Sequence, residues 1–566
     1  MVKRIKKYFS NLTLYDILFI IGFVLVLVLC LYKAPLEIQG DDESFYLTVP
    51  KRLTDGDIFI VDEWHGSQFA GFLMYPFMIL HRLLFGFEGI VLHFRYLYVF
   101  FQALFAIIIY SRLKNYKLFA VLASLFFFIF TPYDIMSMSY NSMGLMLVTL
   151  SGTLMATSSL RRRNLTIFFG GLIFAGAVLC SPYLAAVYVL YSIGAFVYAA
   201  VYDKNVYKSW GVFTAGAGCL AVLFLALLLS RASISEIVAA IPNLLTDPEH
   251  STKPFFAAFL SYFTVIYNAY PHGAILTIVY FFTLAEAVID RNRYDHKMFY
   301  IAVASVIAAV MVIGCYPTAT QNTYNHIMFP LAIVGLMSHI VTKHRDHKLF
   351  VFLYLGGLLY SMCIHFSSNQ HIYAISMAST AANVGSIALI GRAVSERKRG
   401  DFIEFISCAL IVVLIVSQLL FMVHIKINHK FASQSKNSEF TQTISIGPYK
   451  GLRVTPATEE KYMTEYATLQ PLKELEGSVL YASDITWYYL ETPNLRMGAY
   501  SAWLSGYRQS TIDRLNLFYE QYPDKIPDYI HIPQQHRWDF EAFKAGILDR
   551  YGYELIIDNG AMIYAK

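Results

Sequence analysis

Charge is scarce in this sequence of 566 residues: Asp, Glu, Lys and Arg together make up 15%, against 57% apolar residues. So little charge cannot solvate an ordinary soluble globule of this size, which excludes a water-soluble enzyme and points to a chain that crosses a membrane many times. Cysteine is scarce too. The six, Cys30, Cys180, Cys219, Cys315, Cys363 and Cys408, fall within apolar segments and show no CxxC spacing. Neither a disulfide framework nor a zinc site is implied. The net charge is only +5, and the basic residues stand in short clusters between apolar runs. That excludes the continuous basic face a nucleic-acid partner requires.

What the sequence does contain is a succession of apolar runs of roughly 20 residues. Each must be a helix, because hydrocarbon offers a bare backbone no hydrogen-bond partner. The first, at about 15–34, follows the basic start "MVKRIKK", and no A-x-A site comes after it. It reads as a membrane helix and not as a cleaved signal peptide. Basic clusters at 3–7, 112–117, 161–163, 203–208, 291–297, 343–348 and 392–400 are separated by about two runs each, and the lysine and arginine bias places them in the cytoplasm. The expectation is a multi-pass protein of the cell membrane, mainly α, with about thirteen spans, a cytoplasmic N-terminus and a first external loop over 35–87. Segment 68–85 contains Pro76, His81 and Arg82; crossing would break the charge alternation, so it is expected to lie along the interface.

Beyond about residue 425 short apolar stretches alternate with polar ones. "GSVLYAS" and "PDYIHI" read as strands and "ATEEKYMTEYATLQPLKEL" as an amphipathic helix. The end reads as a helix followed by a hairpin turning at Asn559 and Gly560. The organisation expected is a transmembrane domain over 1–424 and a small extracytoplasmic α/β domain over 425–566.

The first external loop opens with three acids, Asp41, Asp42 and Glu43, followed at once by Phe45 and Tyr46. A helix over about 43–53, capped by aspartate, would put Asp42, Phe45, Tyr46 and Val49 on one face. Capping alone explains a lone acid at such a place. Here a second cluster follows, Asp62, Glu63, Trp64 and His65, before apolar sequence resumes. Ionisable groups held so close to hydrocarbon mark a functional region.

The Asp42–Glu43 pair just past the first span, the loop segment "HGSQFAGFLMYPFMILHRLLFG", the next span opening at "HFRYLYVFFQ", the span count and the external C-terminal domain together resemble the GT-C superfamily of polytopic glycosyltransferases. The branch they resemble contains protein O-mannosyltransferases and the aminoarabinose transferases of lipid A. The resemblance implies transfer of a sugar from a polyprenyl phosphate to an extracytoplasmic acceptor hydroxyl. It implies as partners a polyprenyl-phosphate-linked sugar, a glycan, lipid or protein acceptor, and membrane lipid. It carries the family's first-loop acid onto Asp42, with Glu43 beside it. A phosphate leaves an anomeric carbon without acid assistance, since its second pKa is about 6. One base, Asp42, therefore suffices, unlike the two carboxylates of a glycosidase.

The departing phosphate needs donors, for which Arg95, His65, His272, Asn325 and His326 are the candidates. Tyr324 and Pro330 match a segment of the family in which arginine is usual where Thr323 stands, so Asn325 or His326 would substitute. Asp62, Glu63, Trp64 and Tyr46 are candidates for holding sugar or acceptor, with Tyr140 as a further stacking surface. Relatives often carry a second acid in the second external loop that helps bind metal or acceptor; Asp134 and Asn141 are the positions offered here. A divalent metal stays open, and no other cofactor is implied. In the tail, Trp487, Tyr488 and Trp503 are expected to hold a glycan or, equally well, to form a core. For every lone histidine or aromatic the plainer reading is a hydrogen-bonded helix end or packing. Two other functions stay open: a transporter or flippase of a lipid-linked sugar, and a non-catalytic scaffold, which the threonine at 323 suggests.

Overall fold

The computed structural model describes residues 12–158, 163–246, 254–270, 272–289, 297–315, 327–368, 370–397, 400–430, 433–504, 509–534 and 539–566. Helix α1 (Leu14–Lys33) leads into the first loop, which carries α2 (Asp41–Thr54) and α3 (Ala70–Phe85). Then follow α4 (Ile90–Leu113), α5 (Leu118–Ile129), α6 (Tyr140–Ala156), α7 (Arg163–Cys180), α8 (Leu184–Val201), α9 (Asn205–Leu229), α10 (Ile234–Leu245), α11 (Phe255–Ala269) and α12 (Gly273–Ile289). The membrane part ends with α13 (Lys297–Cys315), α14 (Pro330–Val341), α15 (Gly356–Ser367), α16 (His371–Ala378), α17 (Thr380–Ser395) and α18 (Phe402–Asn428).

Among the described residues eight helices are long and apolar enough to cross a membrane, α15 counting together with the π-helical turns Leu349–Leu355 that lead into it, or ten if the bent pairs α11–α12 and α16–α17 each count as one span. The expected figure of about thirteen includes shorter helices. Two of these, α5 and α14, have 12 residues each and reach only about 18 Å at 1.5 Å per residue, less than the hydrocarbon thickness.

The basic segments gather on one face. Lys114 pairs with Asp16 at 2.7 Å, the Tyr116 hydroxyl donates to Asp346 at 2.8 Å, Arg112 reaches Thr166 and Arg163 reaches Ser209. Helices α6 and α17 are buried along most of their lengths. Several of their hydroxyls are satisfied within the helix, as where Thr149 donates to the Leu145 carbonyl and Ser386 to that of Ala382, and Ser151 donates across to the Gly170 carbonyl of α7. This is the solution open to polar groups in a dry interior.

Helices α7 and α9 approach each other through glycines: a Cβ at Gly171 would strike the Phe213 carbonyl, and one at Gly216 the Phe168 carbonyl. Backbones packed this closely tolerate only hydrogen at the crossing. Gly171→Val and Gly216→Val are each expected to destabilise the protein by about 1–3 kcal/mol or more. A lowered melting temperature of the detergent-solubilised variants checks this; unchanged melting would contradict the packing.

At 27 residues, α18 is about 40 Å long and carries the chain from the basic face to the C-terminal region. There α19 (Pro456–Lys473) and α20 (Gln509–Gln521) accompany a five-stranded sheet of β1 (Gly477–Tyr481), β2 (Leu495–Met497), β3 (Tyr529–Pro533), β4 (Glu554–Asp558) and β5 (Ala561–Ala565). The strand order is β2-β1-β3-β5-β4. The first three strands run parallel, and β5 and β4 form an antiparallel hairpin at one side. The strands and helix expected in "GSVLYAS", "PDYIHI" and "ATEEKYMTEYATLQPLKEL" form, and the terminal hairpin turns at Asn559 and Gly560. Trp487 and Tyr488 are buried beside Tyr462 and Tyr481, so the core reading holds for them.

His531 on β3 lies in the same core, with Nε2 at 3.2 Å from the Thr468 hydroxyl and its ring against Tyr481 and Tyr488. Burial pulls its imidazole down to about 3. The unfolded histidine takes a proton near pH 6.5 and the folded one does not, so this stabilisation is complete above 6.5 and is lost as the pH falls towards 3. Going from pH 7 to 4 is expected to cost on the order of 3 kcal/mol. His531→Phe should flatten that acid limb in melting curves taken across this range.

Candidate active site

The backbone enters α2 through Gly40, whose φ of +72° suits a residue without a side chain. The helix begins at Asp41, two residues earlier than the sequence suggested, so Asp42 lies inside the first turn and is not the cap. Unpaired N–H groups there favour an ionised carboxylate.

The two acids of the pair have opposite surroundings. Asp42 is exposed. Glu43 is buried and bidentate to Arg95, at 2.6 Å from Nε to Oε1 and 2.6 Å from Nη2 to Oε2. The remaining donors of Arg95 go to the carbonyls of Ala34, Leu36 and Glu37. All five N–H groups of this fully buried guanidinium are thereby engaged. Arg95, expected at the phosphate, has no donor left for one, and Glu43, expected at the chemistry, is a structural anchor. Together they fasten the start of α2 to the end of α1.

Asp42 faces tyrosines. Burial first, and then the Asp42 charge, push the Tyr46 phenol well above its ordinary value. Burial, Tyr140 and Asp42 push up that of Tyr133. The Tyr46 and Tyr140 rings meet edge to face at 5.7 Å. Tyr133 was not apparent in the sequence. It and Asp134 adopt φ values of 55° and 54°, two successive non-glycine residues in the left-handed region, a strain that such sites often hold. His65 is half-buried, edge-on to Phe45 at 4.8 Å, and Phe45 lies one residue before Tyr46. The His65 Nδ1 accepts from the Ser67 N–H at 3.2 Å and lies 2.8 Å from the Ser67 hydroxyl, which assigns the proton of the neutral ring to Nε2.

Other expected site residues have other partners. Asp134 is enclosed by two buried lysines, Lys33 at 3.5 Å and Lys426 at 3.1 Å. Two ammonium groups around one carboxylate repel a cation, so Asp134 does not fit a divalent metal there. Among the described residues no three His, Cys, Asp or Glu side chains converge as metal ligands. Asn141 is buried at the start of α6. His272 is exposed at the turn between α11 and α12. Asn325 and His326, with Thr323 and Tyr324, lie outside the described residues.

Three members of the second cluster, Asp62, Glu63 and Trp64, are buried where the loop docks onto the C-terminal domain. Glu63 accepts from Arg52 at 3.1 Å and from the Ala502 N–H at 2.9 Å, and the backbone N–H of Trp64 donates to the Tyr500 carbonyl. The Trp64 ring is buried against Tyr500 and Phe518, with the Arg514 guanidinium over it. Asp62 and Asp57 share Lys525 at 2.9 Å each. Burial and the charge of Asp57 push the Asp62 carboxyl up, while for Asp57 the cost of burial is outweighed by Arg52 and Lys525, which hold it down. The same domain reaches α2 directly: the Ser44 and Thr486 hydroxyls are 2.6 Å apart, Thr48 donates to the Thr486 carbonyl, and Lys51 donates to that of Leu495. Trp503, expected to hold a glycan or equally well to pack in a core, lies edge-on to Phe45 at 5.9 Å.

No family model and no curated protein matches the chain. Among solved structures it is similar to the oligosaccharyltransferase AglB from Archaeoglobus fulgidus, crystallised with a tethered acceptor peptide containing the NVT sequon, with 12% identity, a TM-score of 0.43, and 96% of this chain and 74% of that one covered. It is also similar to ArnT from Cupriavidus metallidurans, in the apo state with 12% identity, a TM-score of 0.40 and 96% and 97% covered. The ArnT structure bound to undecaprenyl phosphate gives 11% identity, a TM-score of 0.36 and the same coverage. Likeness at this level says nothing of the substrate of this chain.

Proposed function

We propose that this protein is a membrane glycosyltransferase that takes a sugar from a polyprenyl-phosphate donor and passes it to an acceptor hydroxyl at the membrane face bearing the C-terminal domain. The observation that carries the reading is the divided fate of the pair: Glu43 is locked to Arg95, whereas Asp42, one residue earlier, is exposed beside Tyr46 and Tyr133. In the proposed step the acceptor oxygen attacks the anomeric carbon, its proton passes to Asp42, and the bond to phosphate breaks with its electron pair staying on the polyprenyl phosphate. The Nε2 proton of His65 is a donor for that phosphate, and Tyr46, Tyr133 and Tyr140 form the wall the sugar meets. A single displacement inverts the anomeric centre. Asp42→Asn tests the base in membranes supplied with radiolabelled polyprenyl-phosphate sugars. Lost incorporation at normal protein level supports the reading, and undiminished incorporation removes it.

A further inference from the structure

On the face opposite the C-terminal domain, at the other end of α18, a cavity of about 480 Å³ opens between the start of α13, the end of α14, the end of α17 and the start of α18. Its size suits a small-molecule or headgroup site. Lys297, Lys343 and Arg397 contribute three cations to its lining, and His344 stands beside them. Two acids also line it, Glu396 and Glu404; both accept from backbone N–H groups, and Glu396 also pairs with Arg392 at 3.6 Å. Glu396 accepts from the N–H groups of Lys343 at 2.9 Å and His344 at 3.1 Å. Glu404, 2% exposed, accepts from the Met298 N–H at 3.1 Å. Among the described residues none of the three cations is paired with a carboxylate. Lys343 and Arg397 are exposed.

The carboxylates thus hold the helix ends together, and the cations are left to face the opening. We propose that this cavity binds a phosphate-bearing anion at the membrane surface, with the headgroup of an anionic phospholipid as the favoured source. Basic pockets between membrane helices recognise such headgroups through point charges at the phosphate, while apolar wall residues such as Val341 and Ala393 meet the first carbons of the lipid. The site is remote from Asp42 and independent of the proposed transfer reaction.

Titrating the full chain in detergent with dihexanoylphosphatidylglycerol tests the proposal, with dihexanoylphosphatidylcholine and inorganic phosphate as the other arms. The wild type is expected to bind the glycerol lipid and discriminate against the choline lipid. Lys343→Gln with Arg397→Gln should weaken that binding at least about 10-fold, as expected for two lost charge contacts. Lys348→Gln, on the same face but outside the lining, should leave it unchanged. Competition by inorganic phosphate at equal concentration assigns the anion to solution and keeps the site; failure to compete assigns it to lipid. Absence of binding by the wild type, equal affinity in the double variant, or equal affinity for the choline lipid overturns the proposal. Should the double variant melt early, Lys297→Gln alone carries the same comparison.

Discussion

Replacing Asp42 by asparagine is expected to lower sugar transfer by about 10²–10⁴-fold, the range that loss of a general base produces, with melting nearly unchanged. Asparagine keeps the shape and the capacity to accept a hydrogen bond but cannot take the acceptor's proton. The side chain is exposed, so the substitution leaves no cavity. Through the helix terminus its charge contributes about 0.3–1 kcal/mol to α2. The separation of activity from stability distinguishes a base from a mere cap. If melting and transfer fall together, Asp42 belongs to the architecture and the catalytic reading fails.

The second large effect concerns stability. Arg95→Met removes the only ion-pair partner of the buried Glu43 among the described residues, together with donors to three carbonyls. An uncompensated charge in such a place costs about 3–5 kcal/mol, enough to leave little folded protein in the membrane. Glu43→Met should be comparably damaging, because it leaves a buried guanidinium unneutralised. The double variant is expected to recover part of the loss, since neither charge then remains. Thermal unfolding of all four proteins in one detergent gives the coupling. Simple additivity would show that the pair is not a unit.

The sequence revealed the membrane class and most helices because an apolar run must be helical in hydrocarbon. It also revealed the strands and hairpin of the tail, whose alternation is local. It misassigned residues whose roles depend on distant partners. Arg95 and Glu43 are 52 positions apart, and nothing local says that Glu43 and three carbonyls between them take every donor of Arg95. Asp62, Glu63 and Trp64 look like a site because acids and an indole beside a membrane are also what a docking surface needs, and their partners lie more than 400 residues away at Tyr500, Ala502 and Lys525. Tyr133 escaped notice because its value comes from a left-handed turn that the letters around it do not announce.

The hydrogen bonds from Ser44, Thr48 and Lys51 to the strand-bearing tail have a practical bearing on engineering. A chain cut after the last membrane helix would bare the outer side of α2 and lose the fixed aim of its first turn. Chimaeras must therefore move the 35–87 loop and the 433–566 segment as one cassette, because exchanging either alone breaks these contacts.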